Sequence, residues 1–135
     1  MPMLQWSSEF SVGVNEMDEQ HISLFHLFND FCAAIEDGKD RAETEPLLRR
    51  LLEYTQEHFL SEEGLLRSAG FPGLANHGDQ HKDLNTLMKE YLPRFHRGEL
   101  GSSTNLLGFL REWLIHHIQT EDKQYGPWLN SRGVK

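Results

Sequence analysis

Cysteine is almost absent from this chain: Cys32 is the only one in 135 residues. A lone thiol excludes an internal disulfide and makes a reducing compartment its natural setting. Long apolar runs are missing too, because Arg and Glu interrupt each candidate, so no membrane segment is expected. The opening MPMLQWSSEF lacks the basic start and apolar stretch of an export signal, which makes a cytoplasmic location the expectation. Basic residues are scarce, 13 Lys and Arg against 21 Asp and Glu, for a formal net charge of −8. That balance excludes the basic stripe with which nucleic-acid binders displace counterions. With 5 prolines and 11 glycines confined to a few places, neither a fibrous repeat nor a disordered chain fits. The length suits one domain over residues 1–135, large enough for a sizeable core, and a monomer is expected.

What is present is helical periodicity. From His21, an apolar stripe continues through Leu24, Phe25, Phe28, Cys32 and Ile35 until Gly38 closes the helix. Pro46 sits where an early helical turn tolerates it and opens a second run, with Leu47, Leu48, Leu51, Thr55, His58, Glu62 and Leu66 on one face. Gly70 and FPG at 71–73 stop it. A third seam carries His77, His81, Leu84, Met88, Tyr91 and Phe95. After a break at Gly98, Gly101, Ser102, Ser103 and Thr104, a fourth carries Leu106, Leu110, Trp113 and His117. Short links between long helices predict an antiparallel up-down-up-down four-helix bundle. Residues 1–16 and about 123–135 are left as arms, whose Trp6, Phe10, Tyr125 and Trp128 are expected to pack over the bundle ends.

Five of the eight histidines fall on the predicted inner faces. Buried imidazoles and carboxylates cost stability unless they are hydrogen-bonded or hold something. One such histidine is most simply a hydrogen-bonded core residue; five on converging faces, joined by carboxylates, point to metal. Facing helices that project His and Glu inward are how a bundle builds a two-metal centre. His26 lies about 140° round its helix from His21, and His96 and His116 flank seam positions, so these three are expected near the surface.

The stretches WSSEFSVGVNEMDEQH (6–21), HFLSEEGLL (58–66), HGDQH (77–81) and WLIHHIQTEDKQYGPWL (113–129) resemble the bacteriohemerythrins, single-domain members of the hemerythrin family of oxygen-binding, non-haem di-iron proteins. The resemblance implies two iron ions joined by a bridging oxo or hydroxo group. It makes His77, His81 and His117 ligands of one iron, His21 and His58 ligands of the other, and Glu62 and Asp122 bridges between them. The iron beside His21 and His58 would keep an open position for O₂. Leu24, Phe59, Trp113 and Leu114 match the family's apolar O₂ pocket; ordinary core packing accounts for any one of them equally well. At one position, spacing and resemblance part. Glu121 lies four residues after His117, the same-face interval, whereas Asp122 lies five after it and lands on the seam only if the helix widens locally or ends there.

Function follows the ligand set. Five neutral imidazoles donate less charge than the carboxylate-rich sites of di-iron oxygenases, which together with the resemblance favours reversible O₂ binding over oxygenation, with O₂ as the ligand, an oxygen-requiring protein as the expected client, and no enzymatic turnover. The alternatives are a di-iron peroxidase or oxidase, a zinc hydrolase in the same pocket, and a regulatory module that senses iron or oxygen. Zinc usually sits in four-coordinate sites, so seven protein ligands argue for iron.

Overall fold

The computed structural model describes residues 3–99 and 104–135, with the side chain of Thr104 left out. Gly101, Ser102 and Ser103, assigned above to the third link, lie outside the described residues. Helices α1 (Asn15–Glu36), α2 (Arg41–Ser68), α3 (Leu74–His96) and α4 (Thr104–His116) form the bundle, and no strand occurs among the described residues. The chain then runs through a π-helical turn, His117–Asp122, directly into α5, Lys123–Ser131.

The helices begin and end for local reasons. Asp40 caps α2 by accepting the Glu43 backbone N–H at 3.0 Å, six residues before Pro46, so the proline lies inside the helix and does not open it. At the α1 end, Gly38 takes φ +73°, and the next amide, Lys39 N–H, reaches back to the Ala34 carbonyl at 3.0 Å. That reversal suits glycine because a Cβ would strain it. Antiparallel packing follows from which ends meet. Gln20, early in α1, donates to Ser61, late in α2, and Glu45, early in α2, pairs with His96 at the end of α3.

The predicted seams are the buried faces. Leu24, Phe25, Phe28, Cys32, Leu48, Leu51, Leu84, Met88, Phe95, Leu106 and Leu110 share one apolar cluster. A smaller cluster of Val12, Val14, Met17, Leu66, Tyr125 and Leu129 forms from the N-terminal arm, the start of α1, the end of α2 and α5. Between the two lies a polar layer, because along α1 His21 separates Met17 from Leu24, and along α2 Glu62 separates Phe59 from Leu66. The fold thus places a slab of imidazoles and carboxylates across an otherwise apolar interior.

The arms need correction at both ends. Helix α1 starts at Asn15, ahead of the stripe that begins at His21. Residues 123–131 are not an arm but helix, since the widened turn keeps the backbone hydrogen-bonded instead of ending it. Of the arm aromatics, Trp128 packs at a bundle end as expected, its indole N–H donating to the Ala69 carbonyl at the end of α2. Trp6 and Phe10 instead close on Phe25, midway along α1, and so cover a flank of the bundle, and Tyr125 is fully buried and turned into the polar layer.

Candidate metal centre

The polar layer consists of His21, His58, Glu62, His77, His81, His117 and Asp122, none more than 4% exposed. Side chains this dry must satisfy one another or something they enclose. They divide into two groups that share both carboxylates: Glu62, His77, His81, His117 and Asp122 on one side, and His21, His58, Glu62 and Asp122 on the other, with candidate ligand atoms in each group within 4.8 Å of one another.

Each carboxylate divides its oxygens between the groups. Glu62 Oε1 lies 2.5 Å from His77 Nε2 and 3.2 Å from His81 Nε2, while Oε2 lies 3.3 Å from His58 Nε2 and 3.5 Å from His21 Nε2. Asp122 repeats the pattern: Oδ1 faces His77 and His117 at 2.9 and 3.1 Å, and Oδ2 faces His21 at 3.0 Å. Closeness here is not hydrogen bonding throughout. Both Asp122 oxygens and both His21 ring nitrogens are buried without an aligned hydrogen bond. Converging ligand atoms, with those of His21 and Asp122 left unpartnered, are what two enclosed cations require, so these residues fit a dinuclear metal site.

The π turn brings Asp122 inward. Widening the helix over His117–Asp122 carries the fifth residue after His117 to the interior face, where Asp122 is fully buried, and leaves Glu121 half-buried, accepting from Gln80 Nε2 at 2.9 Å. Regular four-residue spacing would have chosen Glu121. His26, His96 and His116 are all exposed.

The electrostatics reflect the crowding. Burial alone would raise the Glu62 carboxyl, but the imidazoles of His21, His58, His77 and His81 close around it hold it well below the carboxylate range. Asp122 is likewise lowered: burial and the nearby Glu62 charge oppose this, but His117 and His21 outweigh them. Burial and the charges of Glu62 and Asp122 push the Tyr125 phenol well above its usual value, so it keeps its proton and donates to Glu62 Oε2 at 2.9 Å.

Three contributors were not assigned to the site from the sequence. Gln20 accepts from His58 Nδ1–H at 2.6 Å, Glu63 accepts from His81 Nδ1–H at 2.9 Å, and Tyr125 holds Glu62. Tyr125 could have been found, since it stands three residues after Asp122, on the same helical face. Gln20 and Glu63 are chain neighbours of His21 and Glu62, roughly 100° round their helices, and nothing local marks them as reaching across to another helix. Of the apolar candidates, Phe59 stacks on His81 at 3.7 Å and Trp113 on His117 at 4.4 Å, both nearly parallel. Leu24 and Leu114 are buried in the same apolar cluster.

Comparison with known proteins identifies the family and the fold. The family model described as hemerythrin HHE cation binding domain matches residues 12–129. A bacteriohemerythrin of Methylococcus capsulatus is 32% identical over 97% of this chain and 100% of its own length. A hemerythrin-like protein of Naegleria gruberi is 31% identical over 89% of this chain and 88% of its own. A crystal structure of wild-type hemerythrin superposes with a TM-score of 0.88 at 32% identity, covering 95% of this chain and 98% of that one.

Proposed function

This chain belongs to the hemerythrin family, and from that premise we propose that it binds O₂ reversibly at a non-haem di-iron centre, as a carrier, store, scavenger or sensor without catalytic turnover. The observation that supports this reading is the division of Glu62 and Asp122, each with one oxygen toward imidazoles of the His77/His81/His117 group and the other toward the His21/His58 group. In this assignment the seven residues are the iron ligands, and the two carboxylates bridge. When bound, such an iron pair supplies reversible two-electron chemistry that takes up O₂ and releases it.

The chain's own residues do the rest. The His21/His58 side has one imidazole fewer than the other, so it is the side with room for an incoming ligand. Phe59 and Trp113, stacked on His81 and His117, fix those rings and, with Leu24 and Leu114, wall the site with apolar surface. A dry wall protects the oxygen-loaded state from hydrolysis and loss of electrons. Tyr125 keeps its proton on the phenol oxygen and holds Glu62 in its bridging orientation.

Purified protein should hold about two irons per chain in this ligand set. Reduced anaerobically and titrated with O₂, it should gain a visible absorption band that disappears when O₂ is removed. One zinc per chain, or iron whose spectrum ignores O₂ after full reduction, would overturn the proposal, and steady turnover of peroxide would shift it to an enzyme.

A further inference from the structure

Two of the imidazoles in the centre have contrasting partners on the nitrogen turned away from it. His58 Nδ1–H donates to the neutral amide oxygen of Gln20 at 2.6 Å. The Gln20 orientation is set from behind, because its Nε2 donates to Ser61 Oγ at 3.1 Å and so turns the oxygen to His58. His81 Nδ1–H donates instead to a carboxylate, Glu63 Oε2, at 2.9 Å. Glu63 reaches that ring across Gly78 of the HGDQH stretch, where an added Cβ would stand 3.2 Å from Glu63 Oε1. Room for the carboxylate is therefore part of the design of α3.

We propose that this difference makes the two halves of the centre electronically unequal: Glu63 favours the ferric state on the His77/His81/His117 side, while neutral Gln20 leaves the His21/His58 side more readily ferrous. The proposal rests on the di-iron reading above. An anionic acceptor on Nδ1–H makes the opposite nitrogen a stronger donor, which favours the higher metal charge; an amide does so less. Oxidation on that side removes one electron, taken up by a mediator of the ferricyanide class. No bond to the protein forms or breaks, His81 keeps its Nδ1 proton, and the added positive charge is offset by the Glu63 carboxylate. Glu63 and Gln20 are positioning residues in this scheme, acting through His81 and His58.

The test is a mediated spectroelectrochemical titration of iron-loaded protein, with Zn²⁺ affinity of the metal-free protein as a redox-silent second readout. Glu63→Gln should move the ferric/ferrous equilibrium toward ferrous and weaken Zn²⁺ uptake, each by about tenfold, the lower end of effects from such outer partners. Gly78→Ala, which crowds the carboxylate but keeps its charge, should move both the same way by less. Gln20→Glu should move the equilibrium toward ferric. Glu63→Gln with an unchanged midpoint and unchanged Zn²⁺ affinity would overturn the proposal, as would Glu63→Gln and Gln20→Glu shifting the midpoint in the same direction, a sign of disturbed packing. If wild-type protein takes up no iron pair, the di-iron reading fails and this inference with it. If wild type loads and cycles while the variants match it, only this inference fails.

Discussion

Without metal, this protein should lose stability as the solution becomes alkaline. Burial would lower the pKa of His21 and His77, but Asp122 and Glu62, at 2.5–3.5 Å, outweigh it and push them from 6.5 up to about 9 and about 10. The metal-free fold therefore keeps these rings protonated, two imidazoliums balancing two carboxylates. A raised folded-state pKa contributes stability that is fully present below 6.5 and is lost as pH climbs through 9 to 10. For His21 the contribution is about 3 kcal/mol, at ~1.4 kcal/mol per pH unit; His77 shares the same carboxylates, so the two do not simply add. Glu62 and Asp122 run the other way: their depressed values give stability present above their ordinary 4.5 and 3.8 and lost on acidification. The metal-free protein should then be most stable between those values and 6.5. Thermal melts followed by circular dichroism should show the midpoint falling by roughly 10 °C between pH 6.5 and 10, given about 3–4 °C per kcal/mol for a chain of this length. Loaded protein needs neutral imidazoles, so its melting point should hold across that window, and metal uptake at pH 7 should release about two protons per chain. A metal-free midpoint that stays level or climbs over that range, or uptake without proton release, would refute the reasoning.

Three further outcomes test the site and its frame. Asp122→Ala removes the carboxylate facing both groups and should give incomplete iron loading with no stable oxygenated form, whereas Glu121→Ala, which frees only Gln80, should leave both nearly intact; the opposite pattern would mean that the widened turn does not set the ligand. Trp113→Ala strips the ring stacked on His117 and should speed conversion of the oxygenated to the oxidised form; the ring is only partly buried, so the stability cost should fall at or below the lower end of ~3 kcal/mol, and an unchanged oxidation rate in folded protein would reduce Trp113 to packing. Gly126→Ala would put a Cβ 2.1 Å from the Val12 carbonyl oxygen, pushing the N-terminal arm off α5 at a cost of about 1–3 kcal/mol; an unaltered melting point would show that the close approach is not real.

By itself, the sequence determined the bundle and most of the centre's composition. Seams of apolar residues at helical spacing can be buried only on facing helices, and His21, His58, Glu62, His77, His81 and His117 sit on those seams. Burial then forces them into one layer, because a polar slab between two apolar clusters has nowhere else to go. Periodicity alone chooses Glu121 over Asp122, because it assumes a regular helix; only a π turn, which the tertiary structure supplies, brings Asp122 to the interior. The continuation of the fourth helix through residues 123–131 depended on the same turn, and so did the entry of Tyr125 into the polar layer. Gln20 and Glu63 became visible only in three dimensions. Each is one residue along from a member of the cluster, and its partner lies on another helix, at a distance set by how α1, α2 and α3 pack.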